Sequence, residues 1–208
     1  MLSPATVMLF FSAALLLALA PGPDNIFVLT QAALRGRAAG IFVTLGLCTG
    51  LVVHTTAVAL GVAAIFQASM LAFNLLKYIG AAYLLYLAWH AFRAGAASLA
   101  ARNHGELTPW RLYRRGIIMN VTNPKVSIFF LAFLPQFTDA ARGSIVMQMI
   151  LLGMLFILAT ILVFGGISLI AGTLGQWLGR SPRTQVIMNR VAGAIFAGLA
   201  LRLATVSR

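Results

Sequence analysis

Six stretches of the chain, residues 5–34, 40–66, 70–93, 115–136, 144–173 and 186–205, are predominantly apolar. Each runs for roughly 20 residues or more, the length a helix needs to cross the hydrocarbon of a bilayer. In lipid every backbone N–H and C=O must be satisfied within the protein, so a long apolar run is expected to be helical. The composition agrees: of 208 residues, 61% are hydrophobic and 9% charged, against about 25% charged in a soluble domain. The expected fold is an all-α membrane protein of six transmembrane helices, forming a single domain over 1–208.

Fifteen Lys and Arg face three acids, Asp24, Glu106 and Asp139, for a net charge of +12. A nucleic-acid reader would cluster its cations on one water-facing surface. Here they punctuate apolar runs, as they do in the cytoplasmic loops of membrane proteins, so no nucleic-acid partner is expected. Arg35 and Arg37 fall between spans one and two. Arg93, Arg102, Arg111, Arg114 and Arg115 fall between three and four, and Arg180 and Arg183 between five and six. The opposite side carries Asp139 and Arg142 and an uncharged turn near Ala68. The arginine-rich loops are therefore expected to be cytoplasmic, with both termini outside. Leu9 to Ala20 resembles a signal peptide, but no Lys or Arg precedes Arg35 and Pro21 follows the small residues. It is read as a retained first helix.

A weak internal repeat runs through the chain. Lys77, Gly80, Ala81 and Tyr83 in span three match Arg190, Gly193, Ala194 and Phe196 in span six, and Pro23-Asp24 matches Pro124-Lys125. Halves of three spans each, about 1–94 and 112–208 with a cytoplasmic linker at 95–111, would make two inverted repeats, a plan common in secondary transporters.

Spans one and four carry the chemistry. Pro21-Gly22-Pro23 predicts a break, because proline removes a helix hydrogen bond and clashes with the preceding turn. Asp24 and Asn25 lie beside it. In span four, Asn120-Val121-Thr122-Asn123-Pro124-Lys125 gathers polar residues at a second proline. Both breaks are expected near the midplane. Asp24 stands eleven residues before Arg35 and Lys125 ten after Arg115, which at 1.5 Å per residue puts each ~15 Å from the cytoplasmic edge. A charge at that depth costs ~2.5–3.5 kcal/mol and marks an interior or a watery cavity. One reading is structural, a buried Asp24–Lys125 ion pair that fixes one helix on the other. The functional reading has the broken helices cross around a cavity. Lys125 and a half-helix N-terminus would there receive a carboxylate, and Asp24 an ammonium group or a proton. Asn25 and Asn123 would contact substrate or ion, and Pro21, Gly22, Pro23 and Pro124 would shape the site.

Other polar residues carry weaker signals. His54, beside Thr55 and Thr56, would line the pathway or relay protons, although intramembrane Thr commonly bonds its own helix backbone. Gln31 and Thr44 are similar cases, and His90 and His104 read as solvated. Tyr78, Tyr83, Tyr86 and Trp89 form a stripe suited to packing or interface anchoring, and Cys48 to packing. No Walker loop, His-Glu-x-x-His or cysteine cluster occurs, so neither an enzyme, a bound metal nor a cofactor is expected, and an ion gradient is left as the driving force.

These motifs together resemble the LysE/RhtB family of amino-acid exporters over nearly the whole chain. The matches are Pro21-Gly22-Pro23-Asp24-Asn25, the Gly36 and Gly40 region, Gly80-Ala81-Ala82-Tyr83-Leu84, and Asn123-Pro124-Lys125 followed by Phe129-Phe130 and Leu134-Pro135-Gln136-Phe137. The resemblance implies export of amino acids or their derivatives across a bacterial inner membrane, driven by the proton-motive force. The partners are then the amino acid and the lipid bilayer, and a homo-oligomer is compatible with the sequence. An uncoupled channel, a structural membrane protein or a membrane-embedded enzyme are the competing classes.

Overall fold

A computed structural model of the chain describes residues 2–68, 70–95, 108–180 and 182–205. Among them every regular element is helical: α1 (Pro4–Leu19), α2 (Pro23–Arg35), α3 (Arg37–Ala68), α4 (Met70–Arg93), α5 (Pro109–Val121), α6 (Pro124–Ile128), α7 (Ile145–Arg180) and α8 (Pro182–Thr205). The helix begun by α6 continues as a π-helical turn over Phe129–Phe133 and a 3-10 turn over Leu134–Phe137.

Helix ends follow capping chemistry rather than the limits of the apolar runs. Ser3 caps α1 by accepting a hydrogen bond from the Thr6 N–H at 3.1 Å, with Pro4 in the first turn, where its missing donor does no harm. Thr108 and Pro109 do the same for α5. The fourth segment therefore starts at Pro109 rather than at 115. Arg111, Arg114 and Arg115 sit in the first two turns of α5 and not in a linker, because a cap sets a helix start wherever the polar residues lie. Residues 96–107 of the expected linker, with Arg102, His104 and Glu106, lie outside the described residues. α2 passes into α3 through Gly36 alone, at φ +86°, a conformation that costs glycine little.

Spans one and four are broken, as the prolines imply. α1 and α2 meet at 62°, and α5 meets the helix over Pro124–Phe137 at 50°. Three unbroken segments, within α3, α7 and α8, are long and apolar enough to cross a membrane, and the count reaches five if each bent pair is one span. α4 is not among them. It is 24 residues long, but Asn74, Lys77, Tyr78 and His90 dilute its apolar character.

α3 is central, packing against α5 on one side and α7 on the other, while α4 lies along α8. α2 sits on α3 and α7, and α1 on α7 and α8. Small residues allow the closest crossings. A side chain on Gly46 would overlap the Tyr113 carbonyl, and one on Gly116 would come within 2.5 Å of the Val43 carbonyl. Gly153 meets Thr55 in the same way, at the crossing of α7 with α3. The core is aromatic around the π-helical turn. Phe129 stacks near Phe133 at 4.7 Å, Phe133 near Phe137 at 5.0 Å, and Phe130 near Phe156 at 5.2 Å. The wider turn directs Phe129, Phe130 and Phe133 all inward. Outside, Leu60, Leu71, Ile79 and Leu201 are largely exposed, a periphery suited to lipid.

Candidate functional site

The two breaks have the same construction. Pro23 opens α2 and Pro124 opens α6, each in the first turn. Asp24 and Lys125 are thus the residues that follow the opening proline in two matching half-helices. In sequence the prolines read as helix breakers. In the structure they are also helix starters, with φ fixed at a helical value and no N–H to lose.

The breaks are bonded face to face. Asn123 caps α6 by accepting the Lys125 N–H at 3.0 Å through Oδ1, and its Nδ2 donates to Asp24 Oδ2 at 3.0 Å. Lys125 reaches the other way: its Nζ donates to the carbonyls of Ala20, 3.2 Å away, and Leu17, 3.3 Å away. These are among the last acceptors of α1, which its own helix cannot satisfy. They also form the negative end of the helix dipole, which favours a cation. Asn25 completes the set by donating to the Ala18 carbonyl at 2.7 Å. Gly22 allows this approach, since a Cβ there would lie 3.1 Å from Lys125 Nζ.

Asp24 and Lys125 do not form a direct salt bridge; among the described residues that contact is made by Arg142 and Asp139. The ammonium is held by carbonyls and the carboxylate by Asn123, while both charges stay near enough to attract one another. Asp24 is 3% exposed and Lys125 9%. The breaks hold both charges in the interior, as their cost in lipid requires.

Three buried acceptors at this junction lack a partner: Asp24 Oδ1, Asn25 Oδ1 and Asn120 Oδ1. Buried polar atoms are nearly always bonded, so a cluster of vacant acceptors is a place for a donor. The N-terminus of α2 has no side-chain cap, unlike that of α6. The junction thus offers lone pairs for a group bearing N–H, and an open helix N-terminus beside a lysine.

Asn120, which the sequence shows only as part of the polar run at the second break and not among the expected contact residues, lies one helical turn before Asn123. It is 2% exposed, its side chain faces Asp24, and it packs on Gly50 of α3. His54, from α3, donates through Nε2 to the Asn120 carbonyl at 3.1 Å. It therefore touches the C-terminal end of α5, much as Lys125 touches that of α1. Thr44 and Thr55 bond back to the Gly40 and Leu51 carbonyls of their own helix. Gln31 is buried in α2 on the same helical face as Asp24, about two turns further along, with Oε1 unpartnered. Tyr78, Tyr86 and Trp89 are exposed on α4, where Trp89 stacks under Arg93 at 4.0 Å, and Tyr86 lies against His90. Cys48 is buried and free.

Among known proteins, the chain is 34% identical to an uncharacterized membrane protein of Vibrio cholerae, over 92% of its own length and 93% of that protein. It is 32% identical to the homoserine/homoserine lactone efflux protein of Salmonella typhimurium over 87% of each chain. To the leucine efflux protein of Salmonella choleraesuis it is 27% identical, over 92% of this chain and 91% of that one. No solved structure matches it. The family model for the LysE type translocator matches residues 15–207. That stretch contains both breaks and all the side chains that join them, and with it the chain belongs to the LysE type translocator family.

Proposed function

We propose that this protein is a secondary active exporter of amino acids or small amino-acid derivatives across the bacterial inner membrane, working by proton antiport. The observation that carries the proposal is the junction itself: two half-helix starts, joined through Asn123 and Lys125, enclose a carboxylate with a vacant oxygen. The substrate ammonium group binds among Asp24 Oδ1, Asn25 Oδ1 and Asn120 Oδ1. Its carboxylate lies at the uncapped start of α2, near Gly22 and Lys125, where backbone N–H groups and a positive dipole end favour an anion. Asp24 alternates between holding substrate and holding a proton, so that one displaces the other.

The six-span, inverted-repeat reading belongs to the same proposal, with α4 as the third span. Its support is the packing pattern. Exchanging the first three spans with the last three maps α3 against α7 onto itself and α4 against α8 onto itself. The same exchange carries the packing of α1 and α2 on α7 onto that of α5 on α3. The arginine-rich ends of α2, α4 and α5 then face the cytoplasm, and both termini face outward. Asp24→Asn tests the mechanism in proteoliposomes. The wild type accumulates substrate only under a pH gradient, and the variant inserts but loses that accumulation. Undiminished gradient-driven transport by the variant would refute the role of Asp24, while downhill flux alone in the wild type would indicate a channel.

A further inference from the structure

The face of α3 that runs along α5 changes character where α5 ends. Gly46, Gly50 and His54 are spaced four residues apart and so share one side of the helix. Gly46 lies against the Tyr113 carbonyl and Gly116, and Gly50 against the Asn120 side chain, where an added Cβ would come within 2.6 Å of Oδ1. The two glycines make room for α5, whereas the next position fills space with an imidazole. Its Nε2 donates to the Asn120 carbonyl at 3.1 Å, in the last turn of α5. Its ring lies 5.6 Å from that of the fully buried Phe130, which belongs to the π-helical turn that continues α6. One side chain of α3 therefore touches span four on both sides of its break.

The carbonyl that His54 holds is tied to the Asp24 carboxylate in two ways. It also accepts the Asn123 N–H at 3.0 Å, and Asn123 is the residue whose Nδ2 donates to Asp24 Oδ2. The side chain of Asn120 itself faces the same carboxylate. Both amides that face Asp24 are thus anchored at one backbone group, and His54 steadies that group from outside span four. A proline interrupts the hydrogen-bond ladder that would otherwise fix one half of a helix on the other, and in a membrane the freed carbonyls must find partners in neighbouring elements. From this we infer that His54 is a positioning residue of the export site: it sets the end of α5 so that Asn120 and Asn123 meet the Asp24 carboxylate in the geometry that receives the substrate's ammonium group. The inference rests on the export reading above and adds a residue that acts on its carboxylate from a third helix, through the two amides.

Packing and positioning make different demands on this side chain. If His54 only filled the space beside Phe130, any side chain of similar volume would serve. If it positions the junction, a donor is needed where the imidazole Nε2 stands. Glutamine carries an amide N–H at that distance along its side chain, whereas leucine and methionine fill the space without one. The carboxyl group of Asp24 can be watched directly, because the chain has two aspartates. Asp139, the other, is more than half exposed in the loop before α7, and Asp139→Asn leaves Asp24 as the one aspartate.

The full chain, reconstituted in lipid in the Asp139→Asn background with carboxyl-labelled aspartate, gives two readouts. Infrared spectra report the hydrogen bonding of the Asp24 carboxyl group. Efflux from proteoliposomes loaded with labelled protein amino acids and homoserine identifies the amino acid moved fastest, whose KM is then measured. His54→Leu and His54→Met shift the labelled band and raise KM about 3- to 20-fold, the range spanned by one interhelical hydrogen bond within a membrane. His54→Gln returns both to wild-type values. A band and a KM unchanged in the leucine and methionine variants overturn the inference. So does an equal loss in those variants and in His54→Gln, which would make packing the whole of the contribution. A band that shifts while KM stays constant confines His54 to the structure of the junction and overturns its role in export. If the wild type moves no amino acid, the export reading falls, while the infrared comparison still decides whether His54 sets the surroundings of Asp24.

Discussion

Asn123 gives the sharpest test of how the two breaks are joined. Its Oδ1 caps α6 and its Nδ2 bonds the Asp24 carboxylate, each at 3.0 Å. Asn123→Ala removes both contacts, and their contributions can be separated. An N-cap is worth about 1 kcal/mol. Interhelical side-chain hydrogen bonds within a membrane average about 0.6 kcal/mol and reach about 1.7, and an ionised acceptor roughly doubles such a bond. The Asn123–Asp24 bond is therefore expected to contribute about 1–2 kcal/mol, and the alanine variant to lose about 2–3 kcal/mol in all. In an Asp24→Ala background the same substitution costs only the cap, about 1 kcal/mol. Asn123→Ser, which keeps a capping oxygen but does not reach across, recovers the cap and not the bond. Reversible unfolding in mixed micelles, followed by helical circular dichroism for the two singles and the double variant, measures the coupling. Independent sites add within about 0.3–0.5 kcal/mol. A coupling below that scatter would mean the carboxylate and the amide do not support each other, and the face-to-face junction would be wrong.

Lys125→Met leaves the buried carbonyls of Leu17 and Ala20 without their donor; at about 1–3 kcal/mol for each orphaned group, the variant unfolds at clearly lower denaturant in the same assay. Gly116→Ala forces a methyl group against the α3 backbone at Val43 and Gly46 and is expected to cost at least about 1–3 kcal/mol. Gly165→Ala, with open space around it, is expected to be neutral or stabilising by up to about 1 kcal/mol; equal effects from these two glycines would contradict the crossing of α3 and α5. Arg142→Ala breaks a salt bridge whose partners are both more than half exposed and is expected to change stability by no more than about 1 kcal/mol in the same unfolding assay.

The sequence by itself determined the helical character, the approximate segments and the two breaks, because these follow from local physics. An apolar run of membrane length has one way to satisfy its backbone in lipid, and a proline disrupts a helix whatever surrounds it. It also selected Asp24, Asn25, Asn123 and Lys125, since charge and amide groups within an apolar span are conspicuous wherever they occur. What the sequence left open was which group meets which. Opposite charges at equal depth suggested a direct ion pair. Yet the ammonium of Lys125 lies on the carbonyls that end α1, and the carboxylate of Asp24 on the amide of Asn123. That choice depends on where the 62° and 50° bends leave unsatisfied backbone groups, and no pattern along one segment encodes where a carbonyl of another will point. The same holds for Asn120, which the sequence places in the polar run at the second break but gives no partner until α5 sets it on Gly50 beside Asp24. Local patterning fixed which elements form, and the packing of those elements fixed their partners, because hydrogen-bond satisfaction in a low-dielectric interior is decided only when the helices are in contact.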